Sequence, residues 1–124
     1  MKLEGITAKN MELTPAIEAC VLKRIAKLQK IVQKQKPATI RVEVGKPPSQ
    51  RGKKEGLFYA EFNAIVQDQH FNVKKVDLSI YKAIETVRAS MHQQIMKWKK
   101  RELGAERKRG ILRKQMLQSG YSDK

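Results

Sequence analysis

The sequence predicts an α+β domain with the order β-α-β-β-β-α, in which a four-stranded sheet carries two helices on one face. Three observations predict it. Two segments space their apolar residues as a helix does, and four others alternate apolar with polar residues. Stretches rich in proline, glycine and charge separate these segments.

Leu3 to Ala8 reads as the first strand. Thr14 and Pro15 then open a helix, because threonine is a good N-cap and proline suits the first helical position. Ile17, Val21, Ile25, Leu28 and Val32 make its apolar stripe. The helix ends within Gln33-Lys34-Gln35-Lys36-Pro37, since proline disfavours helical backbone in the residue before it. Ile40, Val42 and Val44 alternate with Arg41 and Glu43 in a half-buried strand. Lys46 to Gly56 is a loop, expected to be mobile. Phe58 to Val66 is the next strand, with Phe58, Ala60, Phe62 and Ala64 on one face. Gln67-Asp68-Gln69 turns the chain into a last strand, His70 to Lys75, with Phe71 and Val73 on the core side. Asp77 or Ser79 caps the second helix, whose stripe is Ile80, Ile84, Val87, Met91, Ile95 and Trp98. It is expected to end near Leu103-Gly104, because glycine commonly follows a helix C-terminus. The domain therefore spans 1–103, and 104–124 is a basic tail, expected to be disordered when free. The expected fold, a four-stranded sheet with two helices packed on one face, is double-stranded-RNA-binding-like.

Charge narrows the function. The 124 residues hold 27 Lys and Arg against 12 Asp and Glu, a net charge of +15. Such an excess repels itself, and a polyanionic partner explains it most simply. No apolar run approaches a membrane span, and Met1 to Gly5 lacks the apolar stretch of a secretory signal. With a single cysteine, Cys20, no intrachain disulfide forms, so a cytoplasmic location is expected. Phosphate-binding glycine motifs are absent. His70, His92 and Cys20 are a poor metal set; the histidines read as surface residues and Cys20 as a packing residue. Glu43 and Glu61 can meet across neighbouring strands, where packing or a salt bridge is the expected use. No cofactor, metal, small-molecule substrate or catalytic activity is expected.

The placement of charge indicates nucleic acid. Lys23, Lys27, Lys30 and Lys34 follow spacings of four, three and four, so on a helix of about 100° per residue they line one face opposite the core stripe. Arg24 flanks them, and no acid falls between Glu18 and Glu43 to neutralise the row. On the second helix Lys82, Lys97 and Lys100 fall on the polar face, with Arg101, Lys99 and Arg88 nearer its flanks. These assign RNA binding to Lys23, Arg24, Lys27, Lys30, Lys34, Lys82, Lys97, Lys100 and Arg101. The loop adds Lys46, Arg51, Lys53 and Lys54, and the tail adds Arg107, Lys108, Arg109, Arg113 and Lys114. Tyr59 is one candidate for an exposed ring, and there is no aromatic ladder for stacking bases. Shape and phosphate recognition of folded RNA therefore fits better than single-strand stacking.

Two stretches, "KNMELTPAIEACVLKRIAKLQK" from Lys9 to Lys30 and "SIYKAIE" from Ser79 to Glu85, resemble the ribosome hibernation-promoting factor and ribosome-associated inhibitor A family, in its short form. The resemblance covers residues 1 to 103. It implies a protein that binds rRNA of the small ribosomal subunit at the tRNA and mRNA decoding region and silences idle ribosomes in stress or stationary phase. It also implies that Arg24, Lys27, Lys30, Lys97 and Arg101 match basic positions of the family. Ser79 stands where the family has Asp, and Ser90 and Gln93 where relatives carry Lys and Arg, which thins the charge there. The basic tail differs from the acidic tail of some members and is too short for the dimerisation domain of long ones. A free monomer is expected, with the small subunit and intact ribosome as partners and no membrane. The competing expectation is a general double-stranded RNA or DNA binder without ribosome specificity.

Overall fold

The computed structural model describes residues 1–47 and 56–118, with 106–118 described by backbone alone. The chain runs β1 (Lys2–Lys9), α1 (Pro15–Ile31), β2 (Ala38–Gly45), β3 (Phe58–Val66), β4 (Gln69–Asp77) and α2 (Ile80–Gln118). This is the order expected from the sequence. The loop cations Arg51, Lys53 and Lys54 lie outside the described residues. Two compact units result: Met1–Gln94 holds the sheet, α1 and the first turns of α2, and Ile95–Lys124 holds the later turns.

The strands lie in the order β1-β2-β3-β4. The β1–β2 pair is parallel, as a strand-helix-strand crossover requires, and the other two pairs are antiparallel. Register sorts the side chains into rows across the sheet. Ile6, Val42, Phe62 and Val73 form one row, and Leu3, Ile40, Ala64 and Phe71 the next. On the opposite face the rows are polar: Thr7, Glu43, Glu61 and Lys74, then Arg41, Asn63 and Asn72. The apolar rows are covered by α1 through Ile17, Val21, Ile25 and Leu28, and by the start of α2 through Ile80, Ile84, Val87 and Met91, all buried. Ile95 and Trp98, the last members of the expected stripe, are buried too.

Both helices start as their caps dictate. The Ile17 N–H donates to Thr14 Oγ1 at 3.2 Å with Pro15 in the first turn. At α2 both candidate caps contribute: the Ser79 N–H donates to Asp77 Oδ1 at 3.0 Å, and the Lys82 N–H donates to Ser79 Oγ at 3.3 Å.

Two helix ends differ from the sequence reading. α1 stops at Ile31, one turn before Lys34, and Val32 leaves helical geometry as the C-cap while staying fully buried. α2 does not stop at Leu103-Gly104 but continues to Gln118. A glycine within a helix costs about 1 kcal/mol relative to alanine, and the strong helix formers Ala105, Glu106, Arg107 and Lys108 follow Gly104 directly. Glycine ends a helix through left-handed backbone, and Gly104 does not adopt it.

Gly45 is required by close approach. A Cβ there would lie 2.5 Å from the Lys9 carbonyl oxygen and 3.0 Å from the Tyr59 ring. That same carbonyl accepts from the Lys46 N–H at 3.1 Å, so it is held in place. Gly5, at the irregular step of the β1–β2 register, has nothing within 4 Å of such a Cβ. Gly45→Ala is therefore expected to destabilise by about 1–3 kcal/mol through overpacking, and Gly5→Ala by clearly less. Urea denaturation of the two variants checks this; equal losses would contradict the steric account.

Candidate nucleic-acid interface

The α1 helix carries the first group of cations. With Ile17, Val21, Ile25 and Leu28 turned inward, Lys23, Lys27 and Lys30 are exposed on the outer side. Their spacings of four and three keep them one turn apart, about 5–6 Å along the helix. Among the described residues, none of the three makes a salt bridge within 4.0 Å. Lys34 is not the fourth member of this row. It is exposed in the turn after α1, displaced because Val32 leaves the helix to reach the core.

Arg24 has a different environment from its lysine neighbours. Its Nε lies 2.8 Å from Glu85 Oε2 on α2, and Arg88 pairs with the other oxygen of the same carboxylate. The Arg24 and Arg88 side chains are only 25% and 17% exposed. The trio joins the two helices, so α1 and the start of α2 lie side by side on the covered face of the sheet. The hydrogen bond from Arg88 holds the Glu85 carboxyl below its ordinary range, against the opposing effect of burial; Arg88, Arg24 and Lys27 add attraction through their charges. The structure thus gives Arg24 an acidic partner that the sequence assignment of a free RNA-binding cation did not include. Glu85 and Arg88, three apart on α2, were legible as a pair, but nothing local signals their link to Arg24.

On α2 the exposed Lys82 stands in the first turn. Lys97, Lys100 and Arg101 form a separate exposed group in the Ile95–Lys124 unit. The predicted set therefore divides into Lys23, Arg24, Lys27, Lys30, Lys34 and Lys82 on the first unit, with Arg24 held by Glu85 and Lys34 off the row, and these three on the second.

The open face of the sheet is built differently. Tyr59 is not an exposed ring: it is 4% exposed, donates its hydroxyl to Glu43 Oε2 at 2.6 Å, and has Lys74 Nζ 4.5 Å from its ring centroid. Burial and that hydrogen bond push the Tyr59 hydroxyl up to about 12. The same bond is the main reason the Glu43 carboxyl sits below its ordinary range. Glu43 also pairs with Lys9 at 3.3 Å, and Glu61, directly opposite Glu43, accepts from Asn72 at 3.0 Å. The two glutamates are thus engaged in polar contacts across the sheet, as expected. Ile65 and Val76 are exposed here, but among the described residues this face presents no exposed Phe, Tyr or Trp.

His70 is exposed, and His92 and Cys20 are half-buried. Among the described residues no group of three or more His, Cys, Asp or Glu is placed to hold a metal ion, and no helix is long and apolar enough to cross a membrane.

Residues 5–102 match the family model of the Sigma 54 modulation protein / S30EA ribosomal protein. The chain belongs to that family. This agrees with the resemblance carried by Lys9 to Lys30 and Ser79 to Glu85. The fold is similar to the crystal structure of the Thermus thermophilus Protein Y N-terminal domain, with a TM-score of 0.65 at 20% identity over 79% of this chain and 99% of that one. It is also similar to a ribosomal subunit interface protein from Coxiella burnetii, with a TM-score of 0.60 at 13% identity over 80% and 98% of the two chains. A search of curated protein sequences finds no match to this chain. Within the S30EA family fold, then, this chain places a row of three exposed lysines, without salt bridges among the described residues, on the outer side of α1.

The Arg24–Glu85–Arg88 trio makes stability acid-sensitive. Glu85 has a lowered folded pKa, so its contribution is fully present above the unfolded value of 4.5 and is lost as pH falls through the folded one. Thermal melts from neutral pH downward are expected to show a weaker acid dependence in Glu85→Gln than in the parent chain. Parallel curves would deny the trio this role.

Proposed function

We propose that this S30EA-family protein binds rRNA of the small ribosomal subunit at the decoding region and silences idle ribosomes in stress or stationary phase. The observation that carries the reading is the row Lys23, Lys27 and Lys30, exposed and without salt bridges on α1 of this fold. Lys82, Lys97, Lys100 and Arg101 add cations from α2, and Arg24 helps to fix α1 against it. The protein acts by occupancy: lysines engage phosphates, and the folded body fills space that tRNA and mRNA need. Such exclusion requires no catalytic residue. The name of the similar Coxiella burnetii structure, a ribosomal subunit interface protein, supports this partner. We further read the chain as cytoplasmic and monomeric when free.

About six to ten phosphate contacts would make affinity fall by roughly 10³–10⁵ between 50 and 200 mM salt. General binding to double-stranded RNA or DNA is the competing reading, because the net charge of +15 suits any duplex. The test is sucrose-gradient sedimentation of the protein with purified ribosomes and excess competitor duplex RNA. Comigration with the small subunit and intact ribosome that survives the competitor is the expected result. Loss to the competitor would favour the general duplex binder. In the same assay Lys27→Glu with Lys30→Glu is expected to release the protein from ribosomes while its circular dichroism stays unchanged. Undiminished comigration of this double variant would remove the α1 row from the interface.

A further inference from the structure

The later turns of α2 lie partly outside the family's domain. The family model ends at residue 102, yet the helix runs on to Gln118. Residues 95–118 contain nine Lys and Arg against two Glu, a third of the chain's 27 basic residues. Over the stretch 107–114 alone there are five cations and no acid.

Helical geometry arranges them in a definite way. Positions 100, 107 and 114 repeat every seven residues, so they drift by only about 20° per step and stand about 10 Å apart along the axis. All three are basic: Lys100, Arg107 and Lys114. Positions 97, 101 and 108, also basic, make a second line beside the first. Arg107, Lys108 and Arg109 are consecutive, so their positions lie about 100° apart and span more than half the circumference. Basic positions are therefore distributed round this part of the helix rather than along one stripe.

That distribution suits one kind of anionic partner better than another. A helix that lies on a membrane keeps cations on one side and a strong apolar face of Trp, Phe or Leu on the other. The large apolar residues from 104 to 118 are Ile111, Leu112, Met116 and Leu117, and at about 100° per residue their positions spread round the helix rather than gathering into one face. Cations all round the helix suit phosphates that face it from two sides, as in a groove of folded RNA.

We propose that α2 from residue 104 to 118 is a second RNA-binding element, a basic helical arm added to the S30EA domain, that engages the phosphate backbone of structured RNA next to the main footprint. The inference rests on the rRNA-binding reading above and adds a separate contact to it.

The test compares the full chain with a full-length variant carrying Arg107→Gln, Lys108→Gln, Arg109→Gln, Arg113→Gln and Lys114→Gln. Glutamine keeps helix propensity, and circular dichroism verifies that the helix content is retained. A chain ending at Leu103 serves as a second variant. Binding to purified ribosomes is measured over about 50 to 200 mM salt. For both variants the slope of log affinity against log salt is expected to become shallower by about 0.9 for each phosphate no longer engaged, roughly 3 in all, with at least about a tenfold weaker affinity at the low-salt end. An unchanged slope in both would overturn the proposal. So would loss of binding to phosphatidylglycerol vesicles with ribosome binding untouched, which would assign the arm to a membrane surface. If the parent chain does not bind ribosomes but the same slope change appears on a short RNA duplex, the arm stands and the ribosome reading falls.

Discussion

The row Ile6, Val42, Phe62 and Val73 runs across all four strands, and the burial of Val42, Phe62 and Val73 under two helices orders the rest of the first unit. Val42 and Phe62, on the two central strands, are 0% exposed. Removing this much apolar area from water is the dominant favourable term in forming the domain. It can be done only if α1 and the start of α2 lie with their stripes inward. The direction of every other helix position then follows. Lys23, Lys27 and Lys30 are outward because Ile17, Val21, Ile25 and Leu28 are inward.

Within that arrangement the two kinds of cation have different tasks. Arginine suits a partly buried pair because its planar guanidinium holds a carboxylate from a fixed geometry. Arg24 and Arg88 accordingly share Glu85 at the helix–helix boundary. Lysine keeps a mobile, strongly hydrated charge at the end of a flexible stem. The three lysines beside Arg24 remain on the surface, where a phosphate can replace water around them. One helix thus contributes both to the domain's cohesion and to its outward charge, from adjacent residues.

Much of this was legible in the sequence because it is local. Strand alternation, the Thr14-Pro15 start and the stripe from Ile80 to Trp98 each express a period or a cap within a few residues. The resemblance of Lys9 to Lys30 to a known family agreed with that reading. Three features were not legible for reasons that are equally physical. The Arg24–Glu85 pair joins residues far apart in sequence, so no window contains it. Tyr59 alternates as an outward residue, yet Glu43, Lys74 and the side-chain-free Gly45 cover it. The ends of both helices depended on competitions that a residue pattern does not rank. Val32 follows the core rather than the helix, and Gly104 is carried along by the helix formers after it.

Among the described residues the sheet has two margins, β1 and β4, each paired on one side. Unpaired strand edges invite edge-to-edge association between molecules. Here β1 carries Lys2, Glu4 and Lys9, and β4 carries Lys74 and Lys75, on a chain with a net charge of +15. The positive charge that would serve the proposed phosphate binding is thus the same charge that repels other copies of the chain. When a polyanion neutralises it, the long-range repulsion between copies weakens, and the charged residues at the margins become the remaining local guard against aggregation.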